Sequence, residues 1–337
     1  MNYTNPEQFY SPFYAPSPNL TERRALLSAA GFVGVLMLLL TITMQVTYPL
    51  LVLLLSFLGF LPPNALALSE LGVNNTTFLY VYAGVYILAM GTPLLFVLFK
   101  QRLFNARYSK QSIGGKRTFF AILTAVGGCM AANILTSILL FVLENWDVPI
   151  PESPDMMENT PTSLLLNFVV IAILPAILEE AVFRGCVLRV LRPFGDGFAI
   201  GISAVLFGLM HGNIRQVPFA IIVGLILGKL YTATNSLFYP ILVHFINNAL
   251  SVVMEYLAEG MTEYALSVFY GGIVYGLAIV GAFAGIVLAT GCRRRSQKNH
   301  AVCTLRTGEK LSTLLRSPSF VIAMLIFIAL MGLELMS

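Results

Sequence analysis

Long uninterrupted apolar blocks dominate this chain of 337 residues. They fall at 26–60, 76–99, 118–143, 163–188, 197–212, 218–232, 237–257, 264–291 and 318–336. Most come near or exceed the ~18 to 20 residues a helix needs to cross a bilayer, and none shows the ten-residue alternation of a membrane barrel. Only 11% of the residues are charged, against roughly a quarter in a soluble domain. The expected fold is therefore all-α: a polytopic transmembrane helical bundle of about nine membrane helices.

Charge placement orders these crossings. "ERR" precedes the first block and a basic loop runs from Lys100 to Arg117; Arg189 and Arg192 follow the fourth block, and Arg293, Arg294, Arg295, Lys298, Arg306, Lys310 and Arg316 follow the eighth. The stretch from Trp146 to Pro161 instead carries Asp147, Glu152, Asp155 and Glu158 with no lysine or arginine. Basic loops stay on the cytoplasmic side, so the pattern predicts an integral, multi-pass cell-membrane protein with a cytoplasmic N-terminus and an external C-terminus. The net charge of +4 is topology signal in this setting and implies no nucleic-acid partner; membrane lipid is the implied neighbour.

The organisation expected along the chain is a disordered, proline- and tyrosine-rich cytoplasmic tail over 1–24, N-terminal transmembrane helices over 25–162, a core over 163–256, and C-terminal helices with a basic cytoplasmic loop over 257–337. The first block follows a polar leader and is too long for the apolar part of a cleaved signal, so it is expected to remain as an anchor. Pro49 should kink that block or end its spanning part. The four cysteines, Cys129, Cys186, Cys292 and Cys303, have no paired spacing and are expected as free thiols. No internal repeat supports an inverted-repeat transporter.

Charged side chains in the membrane interior cost about 2.5 to 3.5 kcal/mol each, which makes those present functional candidates. In "LPAILEEAVFRG", Glu180 and Arg184 are four apart, share a helical face and can neutralise each other. Glu179 is rotated by about 100° from Glu180 and meets Phe183 one turn on, so it needs a partner on another helix or works as an acid or base. "ISAVLFGLMHG" puts Phe207 one turn before His211, and "NSLFYPILVHFINNAL" puts His244 one turn before Asn248, with Pro240 suited to a first turn and Asn247 about 100° away. Each feature alone has a bland reading: a helix-end histidine, or polar side chains bonding neighbouring helices. Together they supply water activation, with Glu179 as base, His211 orienting or sharing the proton, and His244 with Asn248 donating to an oxyanion.

These three motifs resemble the CPBP family of intramembrane proteases, which includes CAAX prenyl endopeptidases and proteins linked to bacteriocin processing and self-immunity. The family pattern EExxxR, FxxxH and HxxxN corresponds to Glu179, Glu180 and Arg184, then Phe207 and His211, then His244 and Asn248, over roughly 163–256. The resemblance implies a catalytic core of four helices over 163–256 and peptide-bond hydrolysis in a helical cavity, with Glu179 and His211 activating water, His244 and Asn248 as the oxyanion site, and Glu180 with Arg184 as scaffold. The partner is then a peptide or protein substrate that is membrane-anchored, lipidated or of leader type. The family is often labelled metalloprotease, and Glu179, His211 and His244 could ligate zinc with a water. Asn248 is a poor zinc ligand and no HExxH helix is present, so a reaction without an obligatory metal is the expectation. A non-catalytic immunity or scaffold protein of the same fold, and a proton-coupled transporter, are the alternatives.

One expectation conflicts internally. Counted at ~1.5 Å per residue from the cytoplasmic ends, Glu179 and His244 fall in the inner half of the membrane, whereas His211 lies about 20 Å deep.

Overall fold

The computed structural model describes residues 18–59, 75–99, 114–150, 160–290 and 303–336. Among them there is no strand, and the helices are α1 (Pro18–Phe57), α2 (Asn75–Phe99), α3 (Gly115–Glu144), α4 (Pro161–Phe194), α5 (Asp196–Met210), α6 (Val217–Thr234), α7 (Phe238–Ala258), α8 (Glu263–Thr290), α9 (Thr307–Leu314) and α10 (Pro318–Met336). Eight of these are long and apolar enough to span a membrane: all except α5 and α9. The all-α polytopic bundle is as expected. The fifth apolar block forms a helix of 15 residues, about 22 Å long and short of the ~30 Å hydrocarbon core.

Boundaries differ from the expectation at the N-terminus. Helix α1 starts at Pro18 and includes residues 18–24, which the composition suggested were tail; residues 1–17 lie outside the described set. The helix also continues through Pro49 to Phe57. Cys129, Cys186 and Cys303 are free thiols, the first two buried, and Cys292 lies outside the described residues.

Hydrogen bonds define two ends of the bundle. At one end Glu22 accepts from the Thr304 amide, Arg23 pairs with Glu309, the Lys310 ammonium donates to the Phe194 carbonyl, and Arg192 donates to Asn235. At the other, the Arg215 guanidinium donates to the Ile150 carbonyl and the Ile214 amide to Glu334. The start of α1, the end of α4, the α6–α7 turn and α9 therefore share one end, and Ile150 after α3 lies at the opposite end with the start of α6 and the end of α10.

Small residues set the closest helix crossings. A Cβ added to Gly127 on α3 would stand 2.5 Å from the Gly281 Cα on α8, and the reverse substitution meets the same distance; only glycine permits this approach. Helix α1 packs against α10 in the same way, with Gly34 laid against the Phe320 backbone and the Ser319 hydroxyl donating to the Gly31 carbonyl.

Candidate active site

Helix α4 carries the glutamate pair, and it is not a regular α-helix. π-helical turns at Phe168–Ile173 and Phe183–Leu188 bracket the α-helical stretch Leu174–Val182. Pro175 explains the first: it has no amide proton and crowds the carbonyl four residues back, that of Ile171. The freed Ile171 carbonyl accepts from Asn248 Nδ2 at 2.9 Å. A break in the α4 ladder thereby holds a side chain of α7.

The second motif works through Phe207. Its buried ring meets Phe183, His211 and His244 edge-on, with centroids 5.2, 5.2 and 5.9 Å away. The Arg184 guanidinium carbon lies 4.5 Å over the same ring, a cation–π contact in a site withdrawn from water. One aromatic side chain therefore packs against both histidines and the arginine.

Glu180 and Arg184 form the expected pair, Nη1 to Oε1 at 2.8 Å, and both are buried. Arg184 Nη2 also donates to the Gly224 carbonyl on α6. What the sequence did not disclose is that Glu180 Oε1 also accepts from His244 Nδ1 at 3.0 Å. His244 Nε2 then faces the other glutamate, 3.8 Å from Glu179 Oε2. The imidazole sits between the two carboxylates.

Glu179 has its partner on α2. The Tyr86 hydroxyl donates to Glu179 Oε1 at 2.5 Å in a buried contact, and Tyr82 stacks on Tyr86 one turn away. Glu179 Oε2 is buried with no hydrogen-bond partner among the described residues. The helix spacing left Glu179 in need of such a partner, but no pattern in α2 pointed to Tyr86.

His211 closes α5. Its Nδ1 lies 2.8 Å from the Phe207 carbonyl; a carbonyl only accepts, so Nδ1 carries the proton and Nε2 of the neutral ring keeps its lone pair. Asn248 receives a hydrogen bond from Asn247 Nδ2 on Oδ1, which fixes its amide orientation. One Nδ2 proton goes to Ile171 and the second stays available. Asn247, which the spacing set aside, keeps a buried Oδ1 with no partner among the described residues.

Glu179, His211, His244 and Asn248 line one cavity of about 410 Å³, with Tyr82, Tyr86, Asn247, Gln216 and Ser251. Most of its lining from α4, α6 and α7 comes from the halves of those helices nearer the end with Ile150 and Arg215. The depth conflict is removed by two features. Helix α4 runs on to Phe194, which extends it toward the end shared with α9, and α7 begins beside Gly185, where Leu237 Cδ1 stands 3.5 Å from the position of an added Cβ. Helix α7 thus starts several turns inside the end of α4, which brings His244 level with Glu180.

Among the described residues no group of three or more His, Cys, Asp or Glu side chains is arranged to hold a metal ion.

Comparison with known proteins points to the same segment. Residues 161–250 match the family model described as "Type II CAAX prenyl endopeptidase Rce1-like". The chain is 29% identical over 126 residues, 35% of its length, to the "Putative membrane peptidase YdiL" of Bacillus subtilis (strain 168). It covers 49% of that relative, so it spans about half the length of the curated protein it matches. No solved structure gives a significant match.

Proposed function

We propose, for a chain that belongs through residues 161–250 to the CPBP family, that it is an intramembrane endopeptidase hydrolysing a peptide bond in a membrane-anchored, lipidated or leader-type substrate. The observation that carries this is the single cavity in which Glu179, His211, His244 and Asn248 converge. A transporter would distribute ionisable groups across the membrane depth. These are gathered at one level.

In the proposed reaction a water lies between Glu179 Oε2, which has no hydrogen-bond partner among the described residues, and His211 Nε2. Glu179 takes a proton from the water as its oxygen attacks the substrate carbonyl carbon, and His211 orients it through its lone pair. The carbonyl π electrons move to oxygen, and the oxyanion accepts from His244 Nε2–H and from the second Nδ2 proton of Asn248. In that role both ring nitrogens of His244 carry a proton, Nδ1 facing Glu180 and Nε2 the oxyanion. As the tetrahedral intermediate collapses, the C–N bond breaks and the proton held by Glu179 passes to the departing amine. Glu180 and Arg184 act on this chemistry through His244 and the packing around Phe207.

The test is to compare membrane proteomes of cells carrying the native protein, Glu179→Ala and His211→Ala. Cleavage of a native substrate is expected to disappear in both variants while each still accumulates in the membrane. Full processing by both would overturn the protease reading.

A further inference from the structure

From the contact between α2 and α4 we infer that Tyr86 is a positioning residue for Glu179, in a site that is incomplete without a helix outside residues 161–250. This rests on the protease reading above and adds to it a residue that none of the three motifs contains.

A carboxylate has two oxygens and rotates about its terminal torsion, so a general base in a wide cavity must be held if one lone pair is to meet the water. Tyr86 supplies that hold. Its hydroxyl bonds Oε1 at 2.5 Å, within the short range of charge-assisted O–H···O⁻ bonds, and the contact is buried. Oε2 is left facing His244 Nε2, with no hydrogen-bond partner among the described residues, and Glu179 lines the cavity. The phenol is itself fixed: Tyr86 is buried, and Tyr82 stacks on it with centroids 6.1 Å apart and rings 20° from parallel. Helix α2 also packs on α1 through the stacked Phe32 and Phe96 rings. The N-terminal helices thus act as a brace that carries a donor to the base.

A purely structural tyrosine would satisfy a buried carboxylate and leave turnover alone. The two roles separate in Tyr86→Phe, which keeps the ring and its stacking and removes only the hydroxyl. Two measurements are made on purified protein in lipid. In infrared spectra the Glu179 carboxylate band, identified by its loss in Glu179→Gln, should shift in Tyr86→Phe. With an internally quenched farnesylated CAAX peptide as probe, kcat should fall about 10- to 100-fold while KM stays within about twofold. An unmoved band would overturn the contact, and a moved band with unchanged kcat would overturn the positioning role. If the native protein leaves the probe uncut, hydrolysis of such lipidated peptides is what fails, and the infrared band alone decides whether the phenol holds Glu179.

Discussion

His244 Nδ1 donates to Glu180 Oε1 at 3.0 Å, and the same oxygen accepts from Arg184 Nη1 at 2.8 Å. The second glutamate of the pair is therefore shared between a cation of its own helix and the histidine of α7. Its stabilising partner and its link to the proposed chemistry are one atom, so the two cannot be perturbed independently.

Arg184→Ala should lower the yield of folded protein in detergent. Removing one member of a buried ion pair leaves Glu180 without its guanidinium, at a cost of about 3 to 5 kcal/mol. Arg184→Lys should recover only part of this, because an ammonium cannot span Glu180 and the Gly224 carbonyl as the guanidinium does. Thermal unfolding followed by size-exclusion chromatography reads the difference. Native-like stability of Arg184→Ala would remove the pair from the scaffold.

Asn248→Ala should reduce kcat by about a hundredfold or more, the usual cost of one oxyanion donor. It also strands the Ile171 carbonyl, worth about 1 to 3 kcal/mol, so the stability of the variant must be measured beside its turnover. Asn248→Asp keeps the shape but loses the amide donor and with it the bond to the Ile171 carbonyl, so its stability is measured in the same way. Turnover of the aspartate variant equal to native would exclude Asn248 from the oxyanion site.

With the N-terminus proposed as cytoplasmic, the cavity lies in the half of the bundle nearer the external face. Gln216, exposed and lining the cavity, gives a direct measurement. In Gln216→Cys, a membrane-impermeant thiol reagent should label right-side-out vesicles well above the background of the parent chain and leave sealed inverted vesicles at that background. The opposite pattern would invert the proposed orientation.

The fold was legible because lipid leaves a helix few alternatives: block length and loop charge carry nearly all the information. The i,i+4 relations were legible too, which is why Glu180 with Arg184, Phe207 with His211, and His244 with Asn248 could be paired by counting. Contacts between helices were not. Neither Tyr86 with Glu179 nor Glu180 with His244 leaves a local spacing, since their partners lie 93 and 64 residues apart. Depth was misjudged for a related reason: hydropathy marks where apolar residues stop, and α4 continues past its apolar block through Arg189 and Arg192 to Phe194.

The clasp between α1 and α10 has a bearing on biogenesis. Ser319 reaches Gly31 across 288 residues of chain, and at ~5 to 20 residues per second a ribosome needs on the order of tens of seconds to make that length. Helix α1 therefore waits through the synthesis of the helices between it and α10, with the groove beside Gly34 open to lipid or to an insertion factor, before α10 arrives to close it.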